Sequence, residues 1–384
     1  MNFERYHIIN QKRLEDIEIC DVTLRDGEQT PGVSFIAEEK IEIACKLDEI
    51  GVEIIEAGFP IVSKDEARTV REIANLGLNA RTCALARANP PDIECVASCD
   101  IDIVALVFGT SDIHLRFKYK ATREEAIKRA VSALDCAKDY GLTVRFAAED
   151  ATRSDINFLK EYFAAGEKHG ADMLSIADTV GVLNPKSTHF LVDEINKASN
   201  LPICIHCHDD LGMSLANTLA GAEAGVKQLQ ATVNGLGERS GNTPLEELLV
   251  ALYLQYGVDR YDLSKICELS DMVERYSGIP VAKNKAVVGA HAFTHESGIH
   301  VAAVLKDPNT YEPFLPELVG GERRFVLGKH TGRRSLQHIL EQEGYELSDE
   351  ELSITLEKIK EEATSSSPIS QREVGELIIK IKQP

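Results

Sequence analysis

What this 384-residue chain lacks narrows its class before any motif is read. It has no basic excess: 42 lysines and arginines face 62 aspartates and glutamates, a net charge of −20. Nucleic acid and anionic membrane both need a basic face, so neither is an expected partner. No window approaches the roughly 20 apolar residues of a membrane span, and Met1 to Lys12 carries no apolar signal core. The expectation is a cytoplasmic protein. The nine cysteines show no zinc-finger spacing and lie mostly inside apolar runs (Cys20, Cys45, Cys83, Cys136, Cys204), which fits reduced core thiols. No Gly-x-Gly-x-x-Gly follows an apolar run, which disfavours a doubly wound dinucleotide-binding sheet.

What is present is a period. Apolar runs of strand length recur at Ile17–Leu24, Val52–Phe59, Ala80–Ala86, Ile101–Phe108, Leu142–Ala147, Met173–Ala177, Pro202–Ile205 and Gln228–Val233, each followed by a charged helical pattern. Eight such units predict an α/β fold, a (β/α)8 TIM barrel over residues 1–285. Ser63–Glu66, Thr122–Glu125 and Thr243–Glu246 read as capping boxes that open helices, and Ser348–Glu351 reads as another. After about residue 285 the period breaks, and residues 286–384 are expected to form a small helical C-terminal subdomain. Within it, the serine-rich stretch Ala363–Ser370 reads as a linker before a last helix near Gln371–Lys382.

A barrel carries its chemistry at the carboxyl ends of its strands. The seventh run ends in His206-Cys-His208-Asp-Asp. Alternate strand residues share a face, so the two imidazoles stand roughly 6.6 Å apart at Cα, a spacing that suits one divalent ion. Two histidines leave such an ion short of ligands, and other strand ends offer Asp26 as an anionic oxygen and Asn242 as a neutral one. Oxygens mixed with imidazole suit zinc, magnesium or manganese. Arg25 is a fixed cation beside Asp26, able to neutralise a carboxylate or a developing oxyanion.

Three stretches in order, Asp21-Val-Thr-Leu-Arg-Asp-Gly-Glu-Gln29, the His206/His208 pair, and Asn234-Gly-Leu-Gly-Glu-Arg-Ser-Gly-Asn242, resemble the signatures of the 2-isopropylmalate synthase and homocitrate synthase family. Gly32, Glu56 to Ser63, Tyr276-Ser-Gly-Ile and Tyr311 to Glu317 are most similar to its archaeal homocitrate synthases of coenzyme B biosynthesis. The resemblance implies a metal-dependent barrel that condenses acetyl-CoA with a 2-oxo acid. It implies metal ligands Asp26, His206, His208 and Asn242, with Arg25 against the developing alkoxide. Glu149 and His300 are the implied candidates for the base that takes the acetyl proton. His300 and Tyr311 are implied to help activate the water that hydrolyses the thioester. Gln29, Arg145, Thr179 and Glu238 are the expected substrate contacts, Thr179 at the carboxylate. A homodimer is implied too, with the subdomain of one subunit covering the barrel mouth of its partner.

The substrate is less settled. Lysine-pathway relatives grip the distal carboxylate of 2-oxoglutarate with a histidine and a serine where this chain has Leu85 and Ala147. That apolar pair leaves room for 2-oxoisovalerate or pyruvate, the substrates of 2-isopropylmalate and citramalate synthases. Against them, the chain stops at Pro384 without the long domain that usually gives leucine feedback. Homocitrate formation from 2-oxoglutarate or a longer 2-oxo dicarboxylate is therefore the expected activity. A lyase or carboxyltransferase of the same superfamily lacks support, because the loop after strand eight carries no cysteine. A metal-binding barrel retired from catalysis is disfavoured by Arg25, Asp26, His206, His208 and His300 all being present.

Overall fold

The structure, a computed structural model, describes residues 14, 16–342, 344–365 and 378. Of the expected linker Ala363–Ser370, residues 363–365 are instead the end of a helix, and 366–370 lie outside the described residues, as does the expected last helix apart from residue 378. The chain divides between Pro280 and Val281 into two compact units.

The first unit is the expected barrel. Strands β1 (Glu18–Asp21), β2 (Ile54–Gly58), β3 (Arg81–Arg87), β4 (Ile103–Gly109), β5 (Thr143–Glu149), β6 (Met173–Asp178), β7 (Ile203–Cys207) and β8 (Gln228–Ala231) run parallel and close, with β1 paired to β8 through Cys20↔Gln230 and Asp21↔Ala231. Between them lie α1 (Ala37–Ile50), α2 (Lys64–Ala74), α3 (Pro90–Ala97), α4 (Arg123–Asp139), α5 (Ile156–Lys168), α6 (Pro185–Asn196) and α7 (Ser214–Ala224), and α8 (Leu245–Tyr256) and α9 (Ile266–Ser277) follow β8. Helix α4 shows how sequence fixes such an element. Ala126, Ala130, Ala133, Leu134 and Ala137 form its buried stripe, and Thr122 and Glu125 cap it reciprocally at 3.2 and 2.8 Å.

The other expected boxes divide. Ser63 Oγ accepts from the Glu66 amide at 3.0 Å, but the Glu66 carboxylate turns to the buried Lys40 ammonium instead. Thr243 does not cap α8, whose N-cap is Pro244. Its hydroxyl pairs with Thr218 Oγ1 at 2.8 Å, while Glu246 accepts from the Asn234 amide at 3.0 Å and ties down the loop after β8. The box pattern was present, but interior partners claimed both side chains.

Inside the barrel, Cys20, Val22, Ile54, Cys83, Ile103 and Ala105 pack together, and two buried charges stand among them, Glu56 and Arg145. Outside, α5 lies so close to β5 that only glycine fits at 166: an added Cβ would stand 2.5 Å from Cδ1 of Phe146. Phe146 is itself wedged against Tyr162, ring centroids 4.5 Å apart.

In the second unit, α10 (Gly298–Val304), α11 (Arg333–Gln342) and α12 (Asp349–Ser365) accompany a parallel pair, β9 (Thr294–His295) with β10 (Arg324–Phe325). The pair is two residues per strand, too short to leave an alternation in sequence. Leu327, Leu336, Ile339, Leu340, Leu352 and Ile359 form the core of this unit. Ser348 and Glu351 cap α12 reciprocally at 3.3 and 2.7 Å.

Replacing Gly166 by alanine should destabilise the barrel by about 1–3 kcal/mol through overpacking. Chemical denaturation checks this; an unchanged midpoint would show that α5 can move off the Phe146 ring.

Candidate active site at the barrel mouth

After β1 the chain turns tightly, the amides of Arg25, Asp26 and Gly27 all directed at the Val22 carbonyl at 2.8–3.2 Å. That turn sets Arg25 and Asp26 at the C-terminal end of the barrel. The Arg25 guanidinium is bonded to both Asp26 and Glu56. Burial opposes ionisation of Asp26, yet the Arg25 charge, the two histidines and the Asn242 amide outweigh it and hold the carboxyl well below its ordinary range.

His206 and His208 meet Asp26 from β7. Their Nε2 atoms are 3.2 Å apart, and His206 Nε2 is 3.6 Å from Asp26 Oδ2. His208 Nδ1 donates to the Gly241 carbonyl at 3.3 Å, an atom that can only accept, so its Nε2 offers a lone pair to the mouth. Asn242 arrives on the loop after β8, its Nδ2 donating to Asp26 Oδ1 at 3.1 Å and to the Leu236 carbonyl at 2.9 Å. This fixes the amide nitrogen and leaves Oδ1 buried and without a hydrogen-bond partner. Gly237 is what lets the loop close, since its φ is +154° and a Cβ there would stand 2.2 Å from Asn242 Nδ2.

The ligand atoms of Asp26, His206 and His208 all lie within 4.8 Å of one another, and Asn242, whose amide is bonded to Asp26, has a buried Oδ1 with no hydrogen-bond partner. One carboxylate, two imidazoles and one amide oxygen fit a divalent ion of the zinc, magnesium or manganese type.

Glu149 ends β5, where Lys118 Nζ donates to its carboxylate at 2.6 and 2.8 Å and His114 Nδ1 is 3.7 Å away. Thr179 follows β6, its hydroxyl accepting from the Asp150 amide at 2.8 Å. Gln29 and Glu238 are exposed on the β1 and β8 loops. Gln29 and Arg25 line a cleft of about 610 Å³ between the loops after β1 and β2. Arg145, expected at the substrate, is 2% exposed, with its guanidinium committed to Glu56 and, at 2.8 Å, to Gln228 at the first residue of β8. His300 and Tyr311 belong to the second unit, where their rings stack at 4.0 Å.

Two residues that matter were given no role from sequence, although Glu56 opens one of the stretches that carry the resemblance. Glu56 accepts from both Arg25 and Arg145, and Gln230 lies against His206. A signal existed for Glu56, a charge in the middle of Ile-Ile-Glu-Ala-Gly, because an inward carboxylate in an apolar strand must have a cationic partner.

The comparisons agree on family. The HMGL-like model matches residues 16–273, and the homocitrate synthase post-HMGL domain-like model matches residues 287–367. Homocitrate synthase AksA of Methanosarcina mazei is 55% identical over 96% of this chain and 91% of its own length. The (R)-citramalate synthase CimA of Methanocaldococcus jannaschii is 49% identical over 90% of this chain and 70% of its own. A solved HMG-CoA lyase from Bacillus subtilis superposes with a TM-score of 0.63 at 22% identity, over 70% of this chain and 95% of that one, which bears on the fold alone. No helix among the described residues is long and apolar enough to cross a membrane.

Burial pushes the His206 imidazole down to about 3, against the pull of Asp26. In chelator-treated protein it stays neutral while the unfolded chain, titrating near 6.5, takes up a proton. Its contribution is therefore present above about pH 6.5 and is lost as pH falls towards 3. The stability difference between the chelated protein and its His206→Asn variant should shrink from pH 7 to pH 4, by at most about 1.4 kcal/mol per unit. Denaturant titrations across that range check it; a flat difference would show that the folded ring titrates normally.

Proposed function

The chain belongs to the homocitrate synthase and 2-isopropylmalate synthase family of acyltransferases, and from that membership and the barrel mouth we propose that it condenses acetyl-CoA with 2-oxoglutarate, giving homocitrate and CoA. The observation that carries the reading is the convergence of Asp26, His206 and His208 beside the Arg25 guanidinium, with the Asn242 amide bonded to Asp26. Asp26, His206, His208 and Asn242 would hold the divalent ion, which when bound supplies Lewis-acid polarisation of a 2-oxo group.

The side chains supply the rest. Glu149, held in place by the Lys118 ammonium, takes a methyl proton from the acetyl thioester. The carbanion so formed bonds to the keto carbon of the 2-oxo acid. Negative charge moves to the keto oxygen, and Arg25 is the cation that stabilises it until it is protonated. His300 and Tyr311 serve the second half-reaction, activating water to add to the thioester carbonyl as the C–S bond breaks and the thiol leaves. Thr179 and Gln29 bind the substrate carboxylate, and Glu238 acts near the thioester. Arg145 acts through Glu56, because its guanidinium is already occupied there.

A second reading is favoured by one feature. Leu85, Val107, Ala147 and Ala177 are half-buried on the lumen side of β3, β4, β5 and β6, an apolar arc that a short aliphatic 2-oxo acid would fill. It supports 2-isopropylmalate or citramalate synthesis from 2-oxoisovalerate or pyruvate. A second copy of the chain is the proposed partner, supported by apolar side chains exposed on the rim loops: Val62 at 68%, Phe117 at 69% and Leu211 at 61%.

Thiol release from acetyl-CoA by metal-replete protein, run with 2-oxoglutarate, 2-oxoadipate, 2-oxoisovalerate and pyruvate, decides between the readings. Preference for the dicarboxylates is expected; release with the monocarboxylates alone would transfer the assignment to the second reading. Asp26→Ala and His208→Ala should abolish release with the circular dichroism spectrum intact, and His300→Ala should slow it by on the order of 10². A metal-free Asp26→Ala protein with full rate would remove the metal site from the mechanism.

A further inference from the structure

Behind the proposed metal ligands runs a line of buried polar groups whose directions conflict with metal binding. The side-chain amide of Gln230, 4% exposed, lies between His206 and Arg145. One end of the amide is 2.7 Å from His206 Nδ1, and the other is 3.1 Å from both terminal nitrogens of the Arg145 guanidinium. A guanidinium only donates. The amide oxygen therefore turns to Arg145, and the amide nitrogen donates to His206 Nδ1. That leaves the proton of the neutral ring on Nε2, 3.2 Å from His208 Nε2, whose lone pair is exposed because its own Nδ1 donates to the Gly241 carbonyl. Every donor in the line points the same way: Arg145 to Gln230, Gln230 to His206, His206 to His208, His208 to Gly241. In this state the line is saturated and His206 has no lone pair for a metal.

We propose that Gln230 is a positioning residue for the metal site, its buried amide turning over when metal binds and so setting which ring nitrogen of His206 carries the proton. In the metal-ready orientation the amide oxygen accepts from Nδ1–H and Nε2 presents its lone pair beside Asp26 and His208. The ring holds one proton throughout: what leaves Nε2 is regained at Nδ1, and no net charge changes. The amide nitrogen then faces the guanidinium donor to donor, so occupancy is opposed by a repulsion that empties easily and the wild-type site binds more weakly than its ligand set would allow. A carboxylate at this position would remove the conflict, since it can accept from His206 Nδ1–H and from Arg145 together.

The inference rests on the metal reading of the mouth, and two measurements separate them. Mn2+ and Zn2+ binding by calorimetry tests the reading; the tautomer of His206, read from ring 15N shifts in histidine-labelled protein and assigned with His206→Asn, tests the inference without metal. Metal-free wild type should show the proton on Nε2, and Zn2+-loaded wild type should show it on Nδ1. Gln230→Glu should show Nδ1–H already in the metal-free protein and bind Mn2+ about tenfold more tightly, whereas Gln230→Met should bind it about 10–100-fold more weakly. A metal-free wild type with its proton on Nδ1 would overturn the proposal, as would equal weakening in both variants. Wild type that binds neither ion would overturn the reading and the inference together. Should Gln230→Met fail to fold, the tautomers of wild type and Gln230→Glu still decide.

Discussion

The barrel mouth depends on one carboxylate buried below it. Glu56 stands inside β2 with no exposure and accepts from Arg25 above and Arg145 beneath. Burial alone would drive its proton back on, but the two guanidinium charges outweigh that and hold its pKa below the ordinary value. The arrangement is one anion between two cations, and Asp26 supplies the second anion on the far side of Arg25. Removing one partner from such a buried set costs roughly 3–5 kcal/mol, because the remaining charge has no water to turn to. Arg25 is thus fixed by electrostatics on both sides, the preorganisation that stabilising a developing oxyanion requires.

The same wiring joins the metal ligands to the barrel floor. Arg145 reaches Glu56 and the amide of Gln230, and Gln230 reaches His206. Asn242 is held by Asp26 and Leu236, and His208 by Gly241. Strand ends deliver the ligands, but lumen side chains one layer down aim them. A substitution inside the lumen therefore reaches the chemistry without touching a substrate.

Much of this was legible in the sequence because it has a short-range signature. The strand-helix period predicted eight strands, which the structure closes into a barrel, and His206, His208, Asp26 and Asn242 stood at predicted strand ends and came together. What stayed hidden depends on tertiary partners. Thr243 and Glu246 have capping-box spacing, yet Thr218 and Asn234 hold them. Arg145 has the residue type of a carboxylate ligand, and only the position of Glu56 89 residues away shows that its guanidinium is occupied. Gln230 carries no charge and no motif; its weight comes from lying between a ligand and a fixed donor.

The role of Glu56 is open to one direct measurement: the rate of CoA thiol release by Glu56→Gln, made on protein whose folded fraction is verified by circular dichroism. A neutral amide of the same shape leaves Arg25 without its second anchor and Arg145 without its counter-charge. Turnover should fall by on the order of 10² with the barrel still folded. A folded Glu56→Gln protein that turns over at the wild-type rate would contradict the central role of the buried carboxylate, because Arg25 would then be held in place without it.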